Sequence, residues 1–155
     1  MKGKLLLLAL ALLFALPSFA QKSRSQGNND QRRKEFLEIK LDFLAKEIDL
    51  KEDQKKQFYD LYSQMETERR AIFKKIKTAE KSIKDNKNAS EADYEKATKE
   101  IVDARAEMSQ VDKIYDERFA TFLSKKQLFK LKEAENKFME KARECRDKKK
   151  GERRK

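Results

Sequence analysis

The chain lacks the residues from which most catalytic and metal sites are built. It has no histidine, no tryptophan and a single cysteine, Cys145, among 155 residues. A histidine base and a cysteine–histidine pair are therefore excluded. One thiol also excludes an intrachain disulfide, so packing must stabilise the fold. Cys145 lies on the apolar stripe of the last predicted helix, so we expect it to be packed, and a disulfide between two copies is the alternative.

Turn-forming residues are also scarce. The chain has one proline and three glycines, whereas charged residues make up 43% of it, against an average of about 25%. This composition predicts long exposed helices, few loops and a thin core. Because such a chain cannot enclose all of its apolar surface, we expect it to form a homodimer.

The first twenty residues have the composition of an export signal. Lys2 and Lys4 precede an apolar stretch at 5–16, and a small-x-small cleavage site follows at 18–20. The apolar stretch has twelve residues, fewer than the roughly 20 of a membrane-spanning helix. We therefore predict cleavage after Ala20 and export, and a retained anchor is the alternative.

Basic residues outnumber acidic ones. The net charge is +11 for the whole chain and +9 without the two lysines of the signal. An exported protein does not normally meet nucleic acid, so acidic polypeptides, anionic lipid headgroups and lipopolysaccharide are the expected counter-charges. The polar segment 21–30 and the charged segment 148–155 predict disordered tails, which leaves 31–147 as the helical domain.

Apolar periodicity predicts four helices and no strands. The helices are expected at about 31–47, 51–84, 91–122 and 125–146. The second and third match in length and have a short link, so they are predicted to form a long antiparallel hairpin. In the third helix, apolar residues spaced by seven indicate a coiled-coil seam. These residues are Tyr94, Ile101, Met108, Tyr115 and Phe122.

The segment 123–127 begins the fourth predicted helix. Ser124 and Gln127 have the spacing of a capping box, in which each side chain accepts a hydrogen bond from the other residue's backbone N–H. Leu123 and Leu128 occupy the two positions of a hydrophobic staple. These residue types start a helix sharply, so we assign Leu123, Ser124 and Gln127 to that role in preference to direct contact with a partner.

A similar segment, 50–54, begins the second predicted helix. Leu50 and Gln54 match their counterparts, and we assign them the same role. Lys51 occupies the capping position, where its ammonium group cannot accept a hydrogen bond. Asp49, with Glu52 three residues later, is the alternative cap.

An export signal, a small basic helical chain and paired Leu-[Ser/Thr]-x-x-Gln segments resemble the Spy/CpxP family of periplasmic proteins, whose signature is a twice-occurring LTxxQ motif. The second copy matches with Ser124 in place of Thr, and the first departs from it at Lys51. The resemblance implies a thin, cradle-like homodimer in the periplasm with a basic concave surface. It also implies ATP-independent chaperone activity. Some members sense metals through histidine, which this chain lacks, so no metal is expected.

The candidate surface for unfolded clients lies first on the first predicted helix. Phe36, Ile39 and Phe43 form a surplus apolar arc, and Arg32 with Arg33 adds positive charge. One helix contact covers only a narrower stripe than this arc. Burial of the arc against the second helix or a partner copy is the alternative.

Two further client-binding candidates, Arg69 and Arg105, interrupt the apolar stripes of the predicted hairpin. For both, an ion pair across helices or between copies is favoured over contact with a client, because a charge on a seam usually sets register.

The sequence thus predicts an all-α periplasmic holdase for unfolded envelope proteins, without catalysis or cofactor. Two alternatives remain. One is a regulatory protein that docks on the periplasmic domain of a sensor kinase. The other is a trimeric chaperone similar to Skp/OmpH, which builds a small β-body for which this chain has no alternating apolar segments.

Overall fold

The structure is a computed structural model that describes the backbone at 18–152 and the side chains at 28–148 and 151–152. This part of the chain forms four helices and no strand. They are α1 (Ser18–Glu47), α2 (Glu52–Asp85), α3 (Glu91–Phe119) and α4 (Lys125–Glu152). The prediction of an all-α protein with four helices is confirmed. Most of the predicted export signal, at 1–17, lies outside the described residues.

Two helices extend beyond their predicted bounds. α1 begins at Ser18, so the segment 21–30 is helical where a disordered tail was predicted. α4 continues to Glu152, into the predicted tail 148–155. Apolar periodicity marks only the turns that need burial, whereas a helix already nucleated propagates at little cost through polar residues. No helix of the described chain is both long enough and apolar enough to span a membrane.

The chain divides into two compact units, and the boundary falls within α1 between Ile39 and Lys40. In the first unit, the described side chains are mostly exposed and bond within their own helix. Arg33 pairs with Asp30 at 2.8 Å, and Gln31 donates to Glu35 at 3.1 Å.

The second unit contains an aromatic core. The ring centroid of Phe58 lies 5.6 Å from that of Tyr62 and 5.5 Å from that of Phe119, and all three side chains are fully buried. Aromatic pairs at these distances stabilise beyond their buried area. Other buried side chains of this unit come from all four helices or their ends and include Leu41, Leu44, Ile48, Met65, Tyr115, Leu131, Ala134 and Phe138.

α2 packs along α3 through a second apolar cluster. Ile72 and Ile76 of α2 contact Ala104 of α3, and Ile101, Met108 and Val111 pack against them. Polar pairs flank this cluster: the Tyr115 hydroxyl donates to Glu68 at 2.6 Å, and Lys75 pairs with Glu107 at 2.7 Å.

Cys145 is exposed, which corrects the expectation that it is packed. The apolar spacing of α4 continues past Phe138, but every described side chain from 143 onward is exposed. The apolar periodicity of α4 therefore continues beyond the last turn of the helix that packs against the core.

Candidate functional site

α1 ends in a tight backbone motif that places the first Leu-x-x-x-Gln segment. The Leu50 N–H donates to the Ala45 carbonyl at 2.9 Å, and the Asp49 N–H donates to that of Lys46 at 3.3 Å. This pattern is a Schellman motif, which needs a left-handed residue at its centre. Asp49 takes that conformation, with φ of 52°. Asp49 therefore terminates α1, and the alternative in which it caps α2 is wrong.

The start of α2 has half of a capping box. Gln54 Oε1 accepts from the Lys51 N–H at 3.1 Å. Because the lysine side chain has no acceptor, the Gln54 N–H donates instead to the Lys51 carbonyl, also at 3.1 Å. The first turn contains two acidic residues, Glu52 and Asp53, whose negative charge stabilises the positive end of the helix dipole.

The start of α4 has the complete box. Gln127 Oε1 accepts from the Ser124 N–H at 2.9 Å, and Ser124 Oγ accepts from the Gln127 N–H at 3.2 Å. Leu123, at the staple position, is buried. The predicted cap residues are thus placed as the sequence indicated.

The two segments also meet in space, which the sequence did not indicate. Gln127 Nε2 donates to Gln54 Oε1 at 2.9 Å, across 73 positions of the chain, and lies 3.4 Å from the Asp49 carbonyl oxygen. Gln54 Nε2 donates to the Phe122 carbonyl at 2.8 Å. We call these four residues, Asp49, Gln54, Phe122 and Gln127, the motif junction. It joins the end of α1, the start of α2 and the α3–α4 connection.

The one sequence signal for this junction is the use of glutamine in both segments. Glutamate caps a helix equally well through its oxygen. Only an amide can accept from its own helix start and also donate to another segment. Gln127 is 9% exposed, so its donors need partners within the protein.

An open cavity of about 380 Å³ adjoins the motif junction. Its charged lining consists of Lys51, Lys126, Lys130 and Asp49. Lys130 pairs with Asp49, and this hydrogen bond lowers the pKa of the Asp49 carboxyl. The lining contains no activated nucleophile, so it does not indicate a catalytic centre.

Arg69 lies at the centre of a partly buried ion-pair network. Its Nε donates to Asp112 at 2.6 Å, and its Nη1 donates to Glu135 at 3.2 Å and lies 3.6 Å from Glu66. The side chain is 22% exposed. Burial alone would lower the pKa of Arg69, but the hydrogen bond to Asp112 and the charge of Glu135 raise it above its ordinary value.

Two further residues complete this Arg69 network. Lys40 of α1 pairs with Glu66 at 2.9 Å, and the Tyr62 hydroxyl donates to Glu135 at 2.7 Å. The network therefore links all four helices within the second unit. Arg69 is engaged by carboxylates, as the favoured interpretation predicted, and is not available as a client-binding cation.

The other client-binding candidates differ in exposure. In the first unit, Arg32 is exposed, Arg33 pairs with Asp30, and Phe36 and Ile39 are 48% and 62% exposed. In the second unit, Phe43 is half-buried, with its ring centroid 5.5 Å from that of Phe138. Arg105 is exposed on α3 and forms no ion pair with another described residue.

Sequence reasoning missed several exposed apolar side chains. The second unit exposes six large ones by between 39% and 65%: Phe73, Tyr94, Val102, Ile114, Phe129 and Met139. Tyr94 was assigned to the coiled-coil seam of the third helix, but its side chain is 50% exposed. Periodicity identifies the apolar side of a helix and does not show how wide the facing helix is.

Three tyrosines predict a loss of stability at high pH. Burial and a hydrogen bond to Asp42 raise the pKa of Tyr59 to about 12, and burial likewise raises the pKa values of Tyr62 and Tyr115. Unfolded tyrosine ionises near pH ~10. The stabilisation is therefore complete below pH ~10 and is lost as pH rises through the folded pKa.

Urea unfolding followed between pH 8 and 11, together with tyrosine absorbance, measures this loss. Tyr59→Phe is expected to flatten the decline, whereas Tyr94→Phe, at a half-exposed ring, leaves it unchanged. Equal declines in the two variants would assign the effect to lysine deprotonation instead.

The described residues contain no group of three or more Cys, Asp or Glu side chains placed to hold a metal ion. Neither a protein-family model nor a curated protein nor a solved structure matches the chain.

Proposed function

We propose that the chain is an ATP-independent, holdase-type chaperone of the periplasm that binds unfolded envelope proteins on a partly apolar helical surface. The observation that carries the proposal is the set of large apolar side chains that are exposed on helices rich in charged residues. Ile39, Phe73, Val102 and Phe129 are each more than half exposed. The resemblance to the Spy/CpxP family supports the same function.

Scattered apolar contacts suit a holdase better than a single groove does. An unfolded chain exposes apolar side chains at irregular spacing, and separate contacts on a charged scaffold hold it weakly and reversibly. A continuous patch would instead favour one defined partner. Residues near the exposed rings are charged; for example, Lys77 Nζ lies 5.3 Å from the ring centroid of Phe73.

The proposal includes an antiparallel hairpin of α2 and α3 and the pairing of two copies into a cradle. The order of the contacts supports the hairpin, since Glu68 pairs with Tyr115 whereas Lys75, about two turns further along α2, pairs with the earlier residue Glu107. The exposed large apolar side chains support the pairing of copies. Light scattering of the purified protein measures it.

Suppression of client aggregation tests the function. The protein at equimolar ratio and low salt is expected to reduce light scattering by a chemically denatured client, without added nucleotide. A variant with serine at Ile39, Phe73, Val102 and Phe129 is expected to suppress at least threefold less. The matched control replaces four exposed polar residues with serine: Gln57, Gln64, Lys84 and Lys96.

The two variants must first show the same helical content and thermal midpoint as the wild type. Absence of suppression by the wild type at equimolar ratio would overturn the proposal. Equal loss in both variants would show that the exposed apolar side chains do not hold the client. Stoichiometric capture of one folded partner would favour the regulatory alternative.

A further inference from the structure

One face of the α2–α3 pair is in contact with α4. Arg69 of α2 and Asp112 of α3 meet on this face at 2.6 Å, and Glu135 of α4 accepts from Arg69 at 3.2 Å. Leu131 and Phe138, one turn on either side of Glu135, are buried. α4 therefore lies here as an amphipathic helix, with a carboxylate on an arginine and apolar side chains beside that carboxylate.

The same face extends along both helices towards the α2–α3 connection. Phe73 follows Arg69 by four positions, one turn of helix, and stays within about 40° of it. Arg105 and Tyr94 precede Asp112 by 7 and 18 positions, which are about two and five turns. These three residues therefore lie on the side that Arg69 and Asp112 mark. We call this part the distal face, and it consists of Phe73, Glu80, Ile83, Tyr94, Thr98, Ile101 and Arg105.

The distal face is open in the part of the chain that the structure describes. Phe73 is 52% exposed, Tyr94 is 50% exposed, and Arg105 is exposed. Ile83 and Ile101, nearer the contact between the two helices, are half-buried. α4 does not pack this far, because each of its described side chains from 143 onward is exposed. The face that α4 contacts around Arg69 thus continues into an apolar surface that α4 leaves open.

Arg105 resembles Arg69 in its place on the face but lacks its partners. It forms no ion pair with another described residue, whereas Arg69 bonds to Glu135. The one carboxylate of the distal face, Glu80, already pairs with Lys77 at 2.6 Å. The distal face of a second copy therefore brings no free carboxylate to Arg105. A different polypeptide with an acidic residue can supply one, in a charge-assisted hydrogen bond to the guanidinium.

The length of the distal face defines the segment that fits it. Lys75 pairs with Glu107, so in the antiparallel pairing proposed above Phe73 is level with Ser109 of α3. Tyr94 then lies about 22 Å from Phe73 along the helices, at ~1.5 Å per residue. This distance is the length of about four helical turns. The two rings are therefore separate contacts at the ends of the face, as expected of a surface that holds a client weakly.

We propose that the distal face binds an amphipathic helical segment of a client polypeptide, about four turns long, with an acidic residue against Arg105 and apolar residues against Phe73 and Tyr94. The occupant is inferred from α4, which lies on the adjoining part of the same face with Glu135 on Arg69. An amphipathic helix in an apolar groove is a recurring mode of peptide recognition. The inference rests on the proposed function, because it names the kind of client segment that is held.

A labelled peptide with the sequence of residues 128–142 is the probe, since this part of α4 has the required pattern. Fluorescence anisotropy follows its binding to the purified protein at low salt. Arg105→Glu in the protein, or Glu135→Lys in the peptide, is expected to weaken binding at least fivefold. The two changes together are expected to restore binding to within twofold of wild type, because the ion pair is reversed. Arg70→Glu, at an exposed position without an ion pair to a described residue, is expected neither to weaken nor to restore binding.

A second pair of variants tests the aromatic contacts separately from the charge. Phe73→Ser combined with Tyr94→Ser is expected to weaken binding of the unmodified peptide at least fivefold. The matched control, Gln57→Ser combined with Gln64→Ser at two exposed positions of α2, is expected to bind within twofold of wild type. Every variant must first show the helical content and thermal midpoint of the wild type.

Equal affinity of the peptide for wild type and for Arg105→Glu would overturn the proposal, and so would the absence of binding to wild type. If the variant with serine at Phe73 and Tyr94 changes from dimer to monomer in light scattering, a second copy occupies the distal face and the client assignment is wrong. Suppression of client aggregation is measured with the same variants. Suppression without peptide binding refutes the helical segment and leaves the holdase function standing, whereas peptide binding without suppression refutes the holdase function alone.

Discussion

Replacement of Arg69 with glutamine is expected to lower the free energy of unfolding by about 3 kcal/mol, near the lower end of the ~3–5 kcal/mol for breaking a buried ion pair. Arg69 contacts Glu66, Asp112 and Glu135, and without it Lys40 is the one remaining ion-pair partner of these three carboxylates among the described residues. Urea unfolding with an unchanged m-value measures the difference.

The neighbouring residue provides the control. Arg70 is exposed and forms no ion pair with a described residue, so Arg70→Gln removes the same charge and is expected to cost less than about 0.5 kcal/mol. Arg69→Lys retains the charge but not the planar guanidinium that contacts several carboxylates at once, and is expected to lie between the two. If Arg69→Gln and Arg70→Gln have equal stability, the network does not stabilise the fold.

The sequence predicted the helices because each of their causes is local. Ser124 and Gln127 form their box with two hydrogen bonds across three positions, and the apolar spacing of α2 identifies the side that contains Phe58 and Tyr62. Such features depend on residues that are close together in the chain, so one segment of sequence contains all that is needed to infer them.

The parts that could not be predicted depend on contacts between distant segments. The bond from Gln127 to Gln54 requires α4 to begin beside the start of α2, and no local pattern indicates that placement. Cys145 was assigned to a packed position for the converse reason, since the stripe continues after the facing helices end. An ion pair was favoured for Arg69, but its partners could not be named, because those on α3 and α4 become neighbours only in the folded chain.

The Arg69 network and the motif junction both join helices through polar contacts, and the apolar core beside them includes Phe58 and Phe119. A helical fold held in this way does not need all of its apolar side chains for stability. Phe73 and Phe129 are exposed, and under the proposed function they contact the client.

Gln127→Glu separates the two roles of the motif junction and is expected to lower the free energy of unfolding by about 1–2 kcal/mol. The carboxylate retains the acceptor for the Ser124 N–H, so the capping box remains. It cannot donate to Gln54 Oε1 or to the Asp49 carbonyl, and places its own oxygens against these acceptors. Measurement in 0.5 M NaCl screens new attraction to Lys126 and Lys130, which line the adjoining cavity.

Comparison variants establish whether the bond between the two glutamines is responsible. Gln57→Glu, at an exposed position on α2, is expected to change stability by less than about 0.5 kcal/mol. In a double-mutant cycle, Gln54→Ala and Gln127→Ala are expected to couple by about 1 kcal/mol, because either change alone removes the shared bond. If Gln127→Glu is as stable as wild type and the cycle shows no coupling, the two segments act only as independent helix starts. A measured coupling together with a destabilised Gln127→Glu means that the recurring glutamine is required to join the two segments, since capping alone is satisfied by either residue.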